Sequence, residues 1–347
     1  MKFFISIAIL LSAIATFANQ LTVSNVSSSP AMYTVIQDAI DAAADNDTIL
    51  VQGSPTAYGE VHLTKTIHLY GSGHHPASAS GLASSFTTLF ILPETAGSLV
   101  EGFTINSVNG TTGGSGIFIS DIVIRNCFID GFNIFNTSYN LVMEGNVISG
   151  SVGFNGNPNS EALFRNNIFR NHFQTPYGQI SGIHSAVVFD HNDFISVCPG
   201  CYPFGDVTGA IITNNFFQNY DTSVSGATAT NMVNCIMNNN ATYLCTTPMP
   251  AGTNTGSGNI DGMNPMFINY LPLSETWDWA YDFHTEAGSP LNGAATDGTD
   301  IGIYGNFPFH MSGEPFGIPV IREFSIDNTA VPLNGTINVH FEASSPE

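Results

Sequence analysis

Two stretches of the chain concentrate side chains that can bind or transform a ligand. The first reads Arg170-Asn171-His172-Phe173-Gln174-Thr175-Pro176-Tyr177-Gly178 and is followed by His184; the second reads Cys198-Pro199-Gly200-Cys201-Tyr202-Pro203-Phe204-Gly205-Asp206. A histidine and a tyrosine held close together can act as base and acid in proton abstraction. His172, Tyr177, His184 and Arg170 are therefore the catalytic candidates. Aromatic rings stack on sugar faces, so Tyr202 and Phe204, with Asp206 beside them, are ligand-binding candidates; the same rings could instead pin their loops to the body. Arg125 and Arg165 each stand one residue before an asparagine and join the ligand-binding set. Asp297 and Asp300, in Thr296-Asp297-Gly298-Thr299-Asp300, could offer oxygens to calcium or form a solvated acidic turn. Asp45 and Asp47 make a second such turn. In Asp190-His191-Asn192-Asp193, strand alternation lets only one of Asp190 and His191 face solvent.

The body that positions these residues is large and acidic. The 347 residues carry 6 Lys+Arg against 27 Asp+Glu, a formal net charge of −21, and 43% are hydrophobic. That is ample for a core and excludes a disordered acidic tail. So few cations exclude a nucleic-acid surface, which must displace counterions from phosphates, and disfavour anionic membranes. Lys2, the apolar run Phe3 to Ile14 and Thr16-Phe17-Ala18 read as a secretory signal over residues 1–18. No later apolar run is long enough to span a bilayer. Export permits disulfides, and Cys235–Cys245 or Cys198–Cys201 are the local candidates among five cysteines. A single Cys-x-x-Cys does not make a zinc site.

The middle of the chain repeats. Asn126, Asn146, Asn166, Asn192, Asn214 and Asn234 recur at steps of 20, 20, 26, 22 and 20, each followed two residues later by Phe or Ile. Around them apolar residues alternate with the pleat period of a strand. A period near 20 is too short for strand plus helix, but fits two or three short strands with tight corners. Such coils cannot bury their inner face alone and stack to share a core. Asparagine tolerates the left-handed conformation a corner needs, and its amide can pair with the asparagine one coil above. The Phe/Ile position is then expected to form an inward ladder. The pattern implies an all-β, single-stranded right-handed parallel β-helix. Tyr33 to Ala43 has helical periodicity, with Val35, Ile36, Ala39, Ile40 and Ala43 on one face, as an N-terminal capping helix would.

The run from Tyr33 to Gly73, with "DTILV", "YGEVHL" and "TIHLYGSG", resembles the opening of pectate-lyase-like β-helix proteins. Asn259 to Phe267, Ser289-Pro290-Leu291 and Asp300-Ile301-Gly302 resemble the closing segment of the same superfamily. The resemblance spans roughly residues 30–305. It implies a fold more firmly than an activity, because the superfamily holds lyases, hydrolases, esterases, adhesins and proteins without known chemistry. Its lyases commonly use Lys or Arg as base, and after signal removal only Lys65, Arg125, Arg165, Arg170 and Arg322 remain. Polygalacturonase-type motifs such as "NTD", "DD" and "GHG" are absent from the sequence. Arg125 and Arg165 are expected to point outward on one face, two coils and about 10 Å apart.

The expected organisation is a signal peptide (1–18), a β-helix (19–306), and a Pro/Gly-marked linker with a C-terminal β hairpin or truncated β domain (307–347). The function this suggests is non-catalytic engagement of an extracellular polysaccharide or cell-surface glycan. A polysaccharide lyase or glycoside hydrolase is the alternative, and a structural stalk the third. The negative charge disfavours polyanionic glycans unless calcium, the one cofactor in view, bridges the repulsion.

Overall fold

The computed structural model describes residues 18–345 except 77–80, 111–117, 135–136, 155–159, 172–177, 185–186, 199–200, 221–231, 271–276 and 329. The signal segment therefore lies outside the described residues, apart from Ala18. Two parallel sheets build the body. The first has ten strands running in chain order from Gln20–Val23 through Val123–Arg125, Leu141–Glu144, Ala162–Arg165, Val188–Asp190 and Ile211–Thr213 to Ile236–Asn238. The second takes the next strand of each coil, among them Phe128–Ile129, Val147–Ile148, Ile168–Asn171, Asp193–Ser196, Phe216–Gln218 and Ala241–Tyr243. Each strand pairs with its counterpart one coil on, so Glu144 lies level with Arg125 and Arg165, and Asp190 with Arg165 and Thr213. The chain is a right-handed parallel β-helix.

Two adjacent residues make the corner between the sheets, and each does a different job. At the pivot, Asn126, Gly145, Asn166, His191, Asn214 and Asn239 all have positive φ, from 50° to 66°. A branched or bulky residue would cost about 1–2 kcal/mol there. Cys127 follows Asn126, but after the other five pivots and after Gly258 the next residue is an asparagine that turns inward and carries the amide ladder: Asn146, Asn167, Asn192, Asn215, Asn240 and Asn259. Each of the first five donates from Nδ2 to Oδ1 of the next at 2.9–3.1 Å. The sequence alignment merged these two columns. Asn126, Asn166 and Asn214 are pivots, Asn146 and Asn192 are ladder residues, and Asn234 (φ 55°) belongs to another corner, opposite Gly209.

That one-residue slip also moves the Phe/Ile position between faces. Ile148 and Phe194 do point inward, where Phe169, Phe194 and Phe217 stack with centroids 4.7 and 4.6 Å apart and rings within 7°. Phe128, Ile168 and Phe216 point outward instead. Those last two lie, with Val147, Ile195 and Ala241, under a second core formed with Phe283, Leu291, Ile301, Ile303 and Phe309. The chain beyond the last coil thus folds back as a strap along the outside of the solenoid. It reads the pivot column as it goes: Asn239 Nδ2 donates to the Ala294 carbonyl, Asn214 Nδ2 to Thr296 Oγ1, and Asn166 Nδ2 to the Ile303 carbonyl. Further back, the Phe316 amide donates to Glu101 Oε1.

The helix Ile36–Ala42 buries Ile36, Ala39 and Ile40 at the N-terminal end, which closes the core as its periodicity required. At the other extreme of the chain, Val320–Ile326 and Val339–Ser344 form an antiparallel hairpin. It is largely exposed, and a two-pronged Arg322–Glu314 ion pair (2.7 Å each) ties it to the strap.

Candidate functional site

The outward face of the second sheet carries one polar column beside the apolar one. Arg170, Ile195, Gln218 and Tyr243 lie level with one another in successive coils. Facing them are residues 264–270 and 277–286, joined through the antiparallel pair Phe267–Asn269 and Asp282–Thr285. A cavity of about 360 Å³ lies between, lined by Gln218, Tyr243, Asn264, Met266, Tyr270 and Glu286. Gln218 Nε2 donates to Tyr270 Oη at 3.4 Å. Its Oε1 is buried without a hydrogen-bond partner, an acceptor open to a ligand hydroxyl.

A wall of rings continues from this cavity. Tyr270 meets Tyr281 edge-on at 5.0 Å, Tyr281 meets Trp277 at 5.6 Å, and Trp277 meets Trp279 at 5.9 Å. Trp279 then packs on Phe128, His74 and His75. The two tryptophans and Tyr281 are half-buried, which leaves part of each ring to solvent. Arg170 lies beside this wall. Burial lowers its pKa, while Tyr281, Tyr270 and Asp130 pull it back up. Burial likewise pushes the Tyr270 hydroxyl far above its usual range, so that phenol stays protonated. The arrangement can stack a sugar ring, accept from a hydroxyl through Gln218 and donate through Arg170. It is a binding geometry before it is a proton-transfer geometry.

The other nominated residues are dispersed. His172 and Tyr177 lie outside the described residues. His184 and Asp206 are brought together from adjacent coils, with Nε2 and Oδ2 3.0 Å apart and both side chains exposed. Tyr202 is half-buried nearby. Phe204 is a correction to the ligand-binding set: it bridges to Ile180, is 1% exposed, and packs on Phe189, Phe194 and Phe217. Its parallel bridge to Ile180, itself fully buried, sets the ring on the inner face.

Arg125 and Arg165 do point outward two coils apart, but inside a column of alternating charge. Arg125 pairs with Glu101 (2.8 Å) and Glu144 (3.7 Å), and Arg165 with Glu144 (2.6 Å). The strap covers them, with Phe316 and Phe307 5.3 and 5.4 Å from the two guanidinium carbons. Asp297 accepts from the Thr299 amide and hydroxyl and from Asn306, while Asp300 accepts from the Gly293 amide. Both carboxylates are engaged in holding turns. Cys198 and Cys201 are disulfide-bonded; Cys127, Cys235 and Cys245 are free thiols. Burial pushes the Cys127 and Cys245 thiols up to about 12, so they are inert at neutral pH.

Sequence reasoning missed Gln218, Tyr270, Trp277 and Tyr281. A signal was present: both tryptophans of the chain fall in Trp277-Asp278-Trp279-Ala280-Tyr281-Asp282-Phe283, where aromatic residues alternate.

Stacked three-part coils, left-handed corners and an inward asparagine ladder decide the classification. The fold is a right-handed parallel β-helix. Among solved structures, two forms of the pectin methylesterase from Aspergillus niger are similar to it. The penultimately deglycosylated form gives a TM-score of 0.32 at 16% identity, over 72% of this chain and 86% of that one. The deglycosylated form gives 0.30 at 16% identity, over 71% and 87%. No protein-family profile and no curated protein matches the chain. Among the described residues, no helix of this β-helix protein is long and apolar enough to cross a membrane.

Proposed function

We propose that this protein is exported and binds an extracellular glycan non-catalytically, through the cleft between the second sheet and residues 264–270 and 277–286. The observation that carries the reading is the half-exposed ring wall of Trp277, Trp279 and Tyr281 beside Arg170 and the unpartnered Gln218 Oε1. Rings of this kind supply apolar area with a polar handle, which suits a sugar's apolar face and hydroxyl rim. The net charge of −21 favours neutral over polyanionic glycans.

The test is gel retardation and calorimetry of the mature protein against a polysaccharide panel, with calcium and with chelator. Binding to a neutral glycan that falls about tenfold or more in Trp277→Ala and Tyr281→Ala, the scale of a lost aromatic anchor, is the expected result. Retardation unchanged in both variants overturns the cleft as the site.

One observation favours a lyase as a second reading. Arg170, a residue type that lyases of the resembled superfamily use as base, lies beside the ring wall on which a sugar would stack. New ultraviolet absorbance from unsaturated products, lost in Arg170→Ala, would replace binding with catalysis.

A further inference from the structure

Asp193 stands where an apolar residue would be expected. It faces outward from the second sheet, level with Ile168 and Phe216, and is fully buried beneath the strap. Neither carboxyl oxygen has a hydrogen-bond partner; the Ile303 amide approaches without reaching hydrogen-bond geometry. Replacing an unpaired buried carboxyl by an apolar side chain would ordinarily stabilise a core, so its presence calls for a chemical reason.

The residue lines a small cavity of about 80 Å³, with the rings of Phe267, Phe283 and Tyr304 as its other walls. His284 and Asp300 complete it at the more exposed side. The Tyr304 ring is fixed by stacking on His284, centroids 3.6 Å apart, and His284 Nδ1 is held by Asp282 at 2.6 Å. On the strap side the carboxyl is closed off by Gly302, where an added Cβ would come within 2.5 Å of Asp193 Oδ1. The buried end of the cavity thus sets the Asp193 carboxyl among aromatic rings, with Asp300 and His284 at its mouth.

That chemistry selects its ligand. Calcium needs six to eight oxygens, and here Asp300 is taken by the Gly293 amide and the Thr285 hydroxyl donates to Asn292. An ammonium group needs one anionic acceptor and gains from ring faces, and its arrival would displace the proton that burial keeps on the Asp193 carboxyl. The acidic surface raises the local concentration of cations. We propose that this cavity takes a small primary ammonium group, held by Asp193 and faced by the rings of Phe267, Phe283 and Tyr304. The site adjoins the glycan cleft, since Phe267 lines both cavities, but it engages a different chemical group and is tested without a glycan. An amino sugar or a simple alkylammonium ion could present the group.

Calorimetric titration of the whole protein with methylammonium tests the site itself, and parallel titrations with glucosamine and N-acetylglucosamine identify the source. Saturable methylammonium binding is expected in the native protein. In Asp193→Asn it should weaken by about tenfold or more, as for loss of a charged hydrogen bond, with circular dichroism showing the fold retained. Tyr304→Leu should weaken it several-fold, the scale of one lost cation–π face. Glucosamine binding with N-acetylglucosamine silent assigns the ammonium to an amino sugar; methylammonium binding alone assigns it to an alkylammonium ion. No methylammonium binding, or equal binding in Asp193→Asn, overturns the proposal. Calcium stabilisation that disappears in Asp193→Asn would overturn it in favour of a metal.

Discussion

Replacing Asn192 by alanine tests the amide ladder most directly. Asn192 is fully buried and its side chain makes four hydrogen bonds. Oδ1 accepts from the Asn167 amide (3.0 Å) and Asn167 Nδ2 (2.9 Å), and Nδ2 donates to the Phe164 carbonyl (2.9 Å) and to Asn215 Oδ1 (2.9 Å). Alanine leaves the Asn167 amide and the Phe164 carbonyl without these partners inside the core, where water does not reach them. At about 1–3 kcal/mol for each of these two orphaned backbone groups, the expected cost is about 2–6 kcal/mol. Asn259 is the internal control. It accepts from Asn240 and donates to the Met237 carbonyl in the same way, but it is half-buried at the end of the ladder. Water can replace part of what it supplies, and Asn259→Ala should cost about 1 kcal/mol. Urea unfolding of both variants, with the slope checked for constancy, gives the comparison. Equal losses, or a loss below about 1 kcal/mol for Asn192→Ala, would refute the view that buried amides rather than strand pairing hold the corners.

Three further outcomes are expected. Burial raises the folded-state pKa of Asp193 well above the usual 3.8, so the folded state holds its proton longer than the unfolded chain. Stability from this group is full below pH 3.8 and declines as pH rises toward the raised value; Asp193→Asn should flatten that limb in denaturation midpoints measured against pH. Burial lowers His74 to about 3 from 6.5, so the neutral ring favours folding above pH 6.5. That advantage should fall about tenfold in folding equilibrium per pH unit between pH 6.5 and 3, and His74→Phe, packing on Phe128 and Trp279, should remove the dependence in acid unfolding curves. Glu144→Ala strips Arg165 of its acid while Arg125 keeps Glu101. Because both arginines are partly solvated, the loss should be about 1–2 kcal/mol and shrink with added salt; a salt-independent loss would point to packing instead.

Much of the solenoid is legible in the primary structure because its determinants are local and recur. A corner needs a residue that tolerates positive φ, and asparagine and glycine supply it coil after coil. Yet Asn146 and Asn166 look equivalent in sequence, and one is a ladder residue while the other is a pivot. Gly145 explains the difference: it takes the pivot itself, so the asparagine after it turns inward. Because strand faces alternate every residue, that shift sends Phe128 outward and Phe194 inward although both follow an asparagine by two.

The site was less legible for a related reason. Arg170 is visible as a candidate and Gln218 shares its column through coil stacking, but Tyr270 and Tyr281 meet them only because the strap returns over the second sheet, and nothing periodic marks a return. The pairing of His184 with Asp206 follows from coil stacking, which brings residues of adjacent coils together. Phe204 shows the converse: a ring in a promising loop became core once its bridge to Ile180 set its face.

The sequence by itself determined the coil, its period and its amphipathic end cap, since each is a short-range consequence of pleat alternation, corner conformation and helix periodicity. Only the tertiary structure decided which asparagines face in, that Arg125 and Arg165 are neutralised by Glu101 and Glu144, and that a carboxyl at Asp193 lies buried among rings. Those outcomes depend on contacts between residues up to 215 positions apart, as for Phe316 and Glu101, and such contacts are set by how the strap packs rather than by any local pattern.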